Sequence, residues 1–212
     1  MAGQGRESTL DHLIIFVKHP EAGKVKTRLA ATVGHPAALA VYEHLLRHTC
    51  EVALTVPVNR HVYYGDVVPK SDLWSEAGFD RQRQIQGDLG VRMYQAMEDY
   101  FAGGASKVVL IGSDVATISP AHLQAAFDAL DTHEVVIGPA KDGGYYLIGL
   151  SKSFPEVFNN INWSTHTVLE ETIRQVLNAG HSYTLLELLS DVDYEEDLTP
   201  ELRVYLDQFP RP

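Results

Sequence analysis

The chain has 212 residues, an apolar share of 45%, 21% charged residues and a formal net charge of −11. That length buries a substantial core without staples, and the composition excludes a disordered or low-complexity chain. The acidic balance speaks against a general nucleic-acid binder, and a single cysteine, Cys50, excludes an intramolecular disulfide and any multi-thiolate zinc site.

In chain order, the polar stretch over residues 1–10 reads as a loose tail, and residues 11–212 as a single domain. Leu13–Val17 forms the first strand. A long helix runs from Pro36 to Leu54, with Leu39, Tyr42, Leu45, Leu46 and Cys50 on one face and a proline where a first turn tolerates it. A strand at His61–Tyr64, a short helix at Ser71–Glu76 and a strand at Gln84–Gln86 follow.

A helix from Leu89 to Phe101 opens after Asp88 and ends at Gly103 and Gly104. Lys107–Ile111 is a buried strand, Ser119 and Pro120 open a helix to Leu130, and strands are expected at Glu134–Ile137 and Tyr145–Leu150. A turn-rich stretch over Phe154–Trp163 precedes a helix from Thr165 to Ala179, a strand at Tyr183–Glu187 and a last helix through Leu198–Leu206. Strands alternating with helices predict a three-layer α/β fold, a mostly parallel sheet with helices on both faces. No apolar run approaches the roughly 20 residues that span a bilayer, and the lone cysteine suits a reducing cytoplasm.

Four basic residues, Lys18, Lys24, Lys26 and Arg28, fall in the segment KHPEAGKVKTR directly after the first strand. A glycine-containing loop there, with Gly23, can present backbone N–H groups and cations to phosphate oxygens. It is neither a Walker loop nor GxGxxG, and the plainer reading is a solvated basic surface. Lys107–Ile111 ends in GSD, which puts Asp114 at the same sheet edge. Magnesium takes one or two carboxylates plus phosphate oxygens and water, and Asp191 and Asp193 are the candidates for a second carboxylate. Each Asp could instead simply cap a helix or turn.

A third strand end carries Lys141, Asp142, Gly143 and Gly144, which suit close backbone approach to a ligand and equally a hairpin turn. Trp163 could wall a sugar pocket or pack in the core. His44 and His48 share a helix face but lack a third ligand, and Ser113 lacks a GxSxG elbow.

Five segments together resemble the selenodomain-associated, cofactor-guanylyltransferase-like transferases of the nucleotide-diphospho-sugar transferase superfamily. They are FVKHPEAGKVKTRLA (Phe16–Ala30), QGDLGVRM (Gln86–Met93), VVLIGSD (Val108–Asp114), GPAKDGGYYLIGL (Gly138–Leu150) and DVDYEEDL (Asp191–Leu198). The resemblance implies a GT-A-like fold and a Mg2+ or Mn2+ ion held by Asp114 and Asp193. It implies a phosphate- and nucleotide-binding set of Lys18, Gly23, Lys24, Lys26, Arg28, Gln86 and Gly87, within which Lys26 and Arg28 join Asp114 as catalytic residues. The acceptor or sugar side is then Lys141 to Gly144 with Trp163. The partners implied are a nucleoside triphosphate or nucleotide sugar and a small acceptor, for glycosyl or nucleotidyl transfer. Two departures bear on activity, and the first raises a non-catalytic, nucleotide-binding regulator as the alternative. Val115, Ala116 and Thr117 stand where the family continues with Cys-Pro, and Val91 stands where it has Glu.

Overall fold

The alternation of strand and helix patterns resolves into one seven-stranded sheet flanked by helices in a computed structural model that describes residues 10–209. The expected tail over residues 1–10 lies outside the described residues except for Leu10. The strands are β1 (Asp11–Val17), β2 (Asn59–Tyr64), β3 (Asp80–Arg83), β4 (Lys107–Ile111), β5 (Val135–Pro139), β6 (Tyr145–Leu150) and β7 (Tyr183–Leu185). The helices are α1 (Thr27–Val33), α2 (His35–Leu54), α3 (Leu73–Glu76), α4 (Leu89–Ala102), α5 (Pro120–Ala129), α6 (Val168–Asn178) and α7 (Pro200–Leu206). Strand order is β3-β2-β1-β4-β6-β5-β7, and β6 alone runs antiparallel to its neighbours.

Side chains on successive strand residues point to opposite faces, and the core divides accordingly. Leu13, Ile15, Val109 and Ile111 pack with Tyr42, Leu46, Leu123 and Phe127 of α2 and α5. Ile14, Val108 and Leu110 pack on the other face with Met93 and Met97 of α4 and Val176 of α6. A third cluster joins Leu29 and Val33 of α1 and Val41 and Leu45 of α2 to Val192, Leu198 and Leu202. It positions the site, because it clamps the helix after the basic loop against the DVDYEEDL segment. No helix among the described residues is long and apolar enough to cross a membrane.

Most of the predicted elements stand within a few residues. The strand expected at Gln84–Gln86 is a correction: β3 ends at Arg83, and the Gln84 side chain turns inward to donate to the Tyr63 carbonyl at 3.0 Å. The sequence DRQR of this edge strand carries no apolar signature. Helix α1 was not expected, since seven residues opening on Thr and Arg read as part of the basic loop. The last helix begins at Pro200, two residues late, because the Thr199 hydroxyl caps it by accepting from Leu202 N. Likewise α6 starts at Val168, three residues beyond Thr165, and β7 stops at Leu185.

Near the strand N-termini, His12 Nδ1 lies 2.9 Å from His61 Nε2; His12 stacks on Tyr100, and His61 lies against the same ring at a tilt. Burial above all lowers the pKa of both histidines from 6.5. The unfolded chain therefore binds more protons than the native one just below pH 6.5, so native stability falls as pH drops through that value. We expect the urea midpoint to decline from neutral pH toward pH 6, and the decline to be shallower in a His12→Gln/His61→Gln variant. Identical slopes in the two proteins would refute the assignment.

Candidate active site

Strand order reverses between β1 and β4, since the chain leaves β1 toward β2 on one side and later returns to β4 on the other. Ligands of open α/β sheets bind at the carboxyl ends of strands at such a switch. The basic loop follows β1 and Asp114 follows β4, so both meet there. Two adjoining cavities open at this edge. One, of about 560 Å³, is lined by Lys18, Lys24, Lys26, Arg28, Arg92, Asp114 and Asp193. The other, of about 520 Å³, is lined by Phe16, Met93, Asp142, Gly144, Trp163 and His166. Arg28, Asp114 and Asp191 border both.

Lys26 is the hinge of the loop. Its backbone is left-handed, with φ 47, which costs a non-glycine residue about 1–3 kcal/mol. That turn drives the side chain inward, to 4% exposure, and sets Nζ 2.9 Å from Asp114 Oδ1 and 3.6 Å from Asp193 Oδ1. The ammonium makes ion pairs but no well-aligned hydrogen bond, so its donors remain available to a phosphate oxygen. Arg28 Nη1 lies 2.7 Å from Asp193 Oδ2, and its guanidinium lies over the Tyr194 ring. Tyr42 fixes the start of the loop: its hydroxyl accepts from Lys18 N at 2.9 Å and donates to Lys18 O at 3.2 Å. Burial first, and the Asp114 charge second, push this phenol up to about 12, so it stays protonated as a donor.

The late acidic segment is held by backbone bonds. Val192 N donates to the Asp114 carbonyl at 2.9 Å, and Asp197 Oδ2 accepts from Asp193 N and Tyr194 N. Asp191 has a raised pKa, from burial first and then from the Asp142 charge. Asp114 and Asp193 meet at this corner across Lys26 and offer carboxylate oxygen, which fits a hard cation such as Mg2+ or Mn2+. Among the described residues no three His, Cys, Asp or Glu are grouped to hold an ion alone.

On the other side, Lys141–Gly144 forms the β5–β6 hairpin turn, with Asp142 Oδ1 accepting from Gly144 N at 2.8 Å. Trp163 reaches the cavity because Gly90 of α4 has no side chain; a Cβ there would lie 2.5 Å from the indole. Glu171 clamps the Trp163 loop, accepting from Asn162 N at 2.7 Å, Asn162 Nδ2 at 2.8 Å and Thr167 Oγ1 at 3.1 Å.

The structure brings together Lys18, Lys24, Lys26, Arg28, Asp114, Asp193, Asp142, Gly144 and Trp163. Gly23, Gln86, Gly87, Lys141 and Gly143 do not line either cavity. Gly87, at φ +143, packs against Val91, and Gly143 packs on the His166 backbone. Sequence reasoning missed Gln84 and Arg92, which line the basic cavity and are joined by a 2.9 Å bond from Arg92 Nη1 to Gln84 Oε1. Arg92 stood inside QGDLGVRM and could have been found there. His48 Nε2 lies 2.8 Å from the Ile118 carbonyl and the His44 ring packs at a tilt against Tyr205, which gives both structural roles. Cys50 is buried, and burial pushes its thiol up to about 11, far from nucleophilic use at neutral pH.

Comparison with known proteins places this arrangement first in a fold class. The chain superposes with a TM-score of 0.57 on a CMP:2-keto-3-deoxy-manno-octonic acid synthetase complexed with CTP, at 14% identity over 94% of this chain and 99% of that one. It superposes at 0.56 on glucosyl-3-phosphoglycerate synthase from Mycobacterium tuberculosis, bound to Mn2+, UDP and glucosyl-3-phosphoglycerate, at 10% identity over 98% and 82% of the two chains. At those identities the likeness is one of fold, that of GT-A-like nucleotidyl- and glycosyltransferases. A protein of Desulfovibrio desulfuricans G20, provisionally assigned as a nucleotide-diphospho-sugar transferase, is 34% identical over 88% of this chain and 83% of its own, with a TM-score of 0.81. The model of DUF2064, a family of uncharacterised proteins conserved in bacteria, matches residues 45–165, and the chain belongs to that family. No curated protein matches the chain.

Proposed function

We propose that the protein is a metal-dependent transferase that takes a nucleoside triphosphate or a nucleotide sugar and passes a nucleotidyl or glycosyl group to a small acceptor. The observation that carries this reading is the division of the site: Lys18, Lys24, Lys26 and Arg92 line one cavity alone, Asp142, Tyr145 and Trp163 the other alone, and the two share Arg28, Asp114 and Asp191. The nucleotides bound by the synthetase and synthase of the same fold support it. Residues 11–212 act as one transferase domain, in the cytoplasm.

Lys18 and Lys24 draw the polyphosphate into the basic cavity, and Lys26 and Arg28 donate hydrogen bonds to the oxygens on which negative charge grows. A Mg2+ or Mn2+ ion held by Asp114 and Asp193 would, when bound, supply further positive charge to those oxygens. The acceptor oxygen forms a bond to the anomeric carbon or the α-phosphorus. The bond to the leaving diphosphate breaks with its electron pair, and the acceptor proton passes to Asp142 or Asp191. Positioning the two reactants across Asp114 is the main contribution of the chain, and no covalent nucleophile is needed.

A thermal-shift panel of nucleoside triphosphates and nucleotide sugars, with and without Mg2+ or Mn2+, tests the reading. A metal-dependent rise in melting temperature for at least one nucleotide is expected, followed by release of pyrophosphate or a nucleoside diphosphate once an acceptor is found. Replacing Lys24, Lys26 and Arg28 together by Met should weaken nucleotide affinity by about tenfold or more, most strongly at low salt. Affinity equal to wild type would return the loop to mere surface. The second reading, a nucleotide-binding regulator, is motivated by Val115, Ala116 and Thr117, which follow Asp114 where the family that the sequence resembles continues with Cys-Pro, and it predicts binding without product.

A further inference from the structure

The two halves of the site differ in what they can tolerate. The basic half offers Lys18, Lys24, Lys26 and Arg92. Asp114 and Asp191 border both halves; to them the basic half adds Asp193 and the other half Asp142, with no lysine. Its one guanidinium, Arg28, also borders the basic half, where it pairs with Asp193 at 2.7 Å and serves the diphosphate, which leaves His166 as the only other side chain lining this half that can carry positive charge. Lys141, although next to Asp142, is exposed and does not line the cavity. The remaining wall is apolar and aromatic, with Phe16, Met93, Leu110, Tyr145 and Trp163.

From this asymmetry we infer that the acceptor is a non-anionic, hydroxyl- or amine-bearing compound with an apolar face, such as a neutral or amino sugar, and not a phosphorylated or carboxylated one. The inference rests on the transferase reading above and names the substrate class of its acceptor half. Carboxylates accept hydrogen bonds and have none to give, so they match hydroxyl and ammonium donors. A phosphate in the same place would meet the Asp142 and Asp191 carboxylates with no lysine lining this half to offset them, whereas Asp114 is already offset by Lys26 at 2.9 Å. The C–H face of a pyranose suits an indole, and Trp163 is held at the wall by the absent side chain of Gly90.

Trp163 also provides the measurement. The only other tryptophan, Trp74, is buried in the core and lines neither cavity. In a Trp74→Phe protein, emission therefore reports on the acceptor half alone. The protein, first saturated with whichever metal–nucleotide complex raises its melting temperature, is titrated with glucose and glucosamine and, in parallel, with glucose 1-phosphate and glucosamine 6-phosphate. The unphosphorylated member of each pair is expected to change Trp163 emission at a concentration about tenfold or more below its phosphorylated partner. Asp142→Asn, which keeps the oxygen that accepts from Gly144 N, should narrow that gap.

Equal or tighter response to the sugar phosphates would overturn the inference, as would no response to either unphosphorylated sugar in nucleotide-bound protein. Failure of every metal–nucleotide complex to raise the melting temperature would instead remove the transferase reading, and the acceptor assignment with it. If Trp74→Phe lowers stability too far, product formation with the four sugars in the unaltered protein gives the same ranking.

Discussion

Asp114→Asn is expected to leave the protein folded while abolishing the metal-dependent part of nucleotide binding and lowering any transfer rate by about a hundredfold or more. Asp114 borders both cavities, faces the Lys26 ammonium at 2.9 Å and anchors the late acidic segment only through its backbone carbonyl. Asparagine keeps that carbonyl and the shape of the side chain, and loses the charge. The carboxylate is 47% exposed and Asp193 remains 3.6 Å from Lys26, so loss of the ion pair should change stability by only about 1 kcal/mol. Thermal shift with and without Mg2+ or Mn2+ separates the effects: the apo melting temperature should stay near wild type while the metal-dependent increment disappears. An undiminished increment would take Asp114 out of the site.

The same residue shows why much of the site was legible in the sequence. A strand with four apolar positions, Val108–Ile111, closed by Gly-Ser-Asp ends at the carboxyl edge of a parallel sheet, and the basic loop follows β1 at the same edge. What the sequence could not carry was depth. Lys26 and Arg28 are two residues apart in one basic run, yet the left-handed backbone at Lys26 buries its side chain while Arg28 stays at the surface on Asp193. Nor did the run betray α1, because its helical character lies in Leu29 and Val33 packing on α2 and on Val192, a contact across more than 150 residues. Gln84 failed for a related reason. It follows an edge strand of wholly polar composition, and its role depends on Arg92 from the next helix.

The net charge of −11 takes on a different meaning once the groups are placed. Cations gathered in one cavity can hold a few phosphates, and the field of the rest of the surface opposes a long polyanion. The acidic surplus is also present within the site, where Asp142 and Asp191 line the cavity proposed for the acceptor.

The largest loss of stability should follow Gly143→Ala in the DGGY turn. Gly143 has φ +89, and a Cβ built on it would lie 2.1 Å from the His166 carbonyl oxygen and 2.7 Å from His166 C and Cα. These are backbone atoms and cannot rotate away. The two segments are also tied together, because Leu169 N donates to Gly143 O at 2.9 Å. The strain of the left-handed conformation and the clash should together cost about 2–5 kcal/mol. Gly104→Ala is the matched control: its φ is +92, but nothing lies within 4 Å of an added Cβ, so only the conformational cost of about 1 kcal/mol applies. Urea unfolding of the two variants isolates the clash as the difference between them. Because the displaced segment carries Ser164–His166 along the acceptor cavity, Gly143→Ala should also alter Trp163 emission in the native state, which Gly104→Ala should not. Equal destabilisation by the two substitutions would mean that the DGGY turn does not rest on the His166 backbone, and the wall of the acceptor half would have to be redrawn.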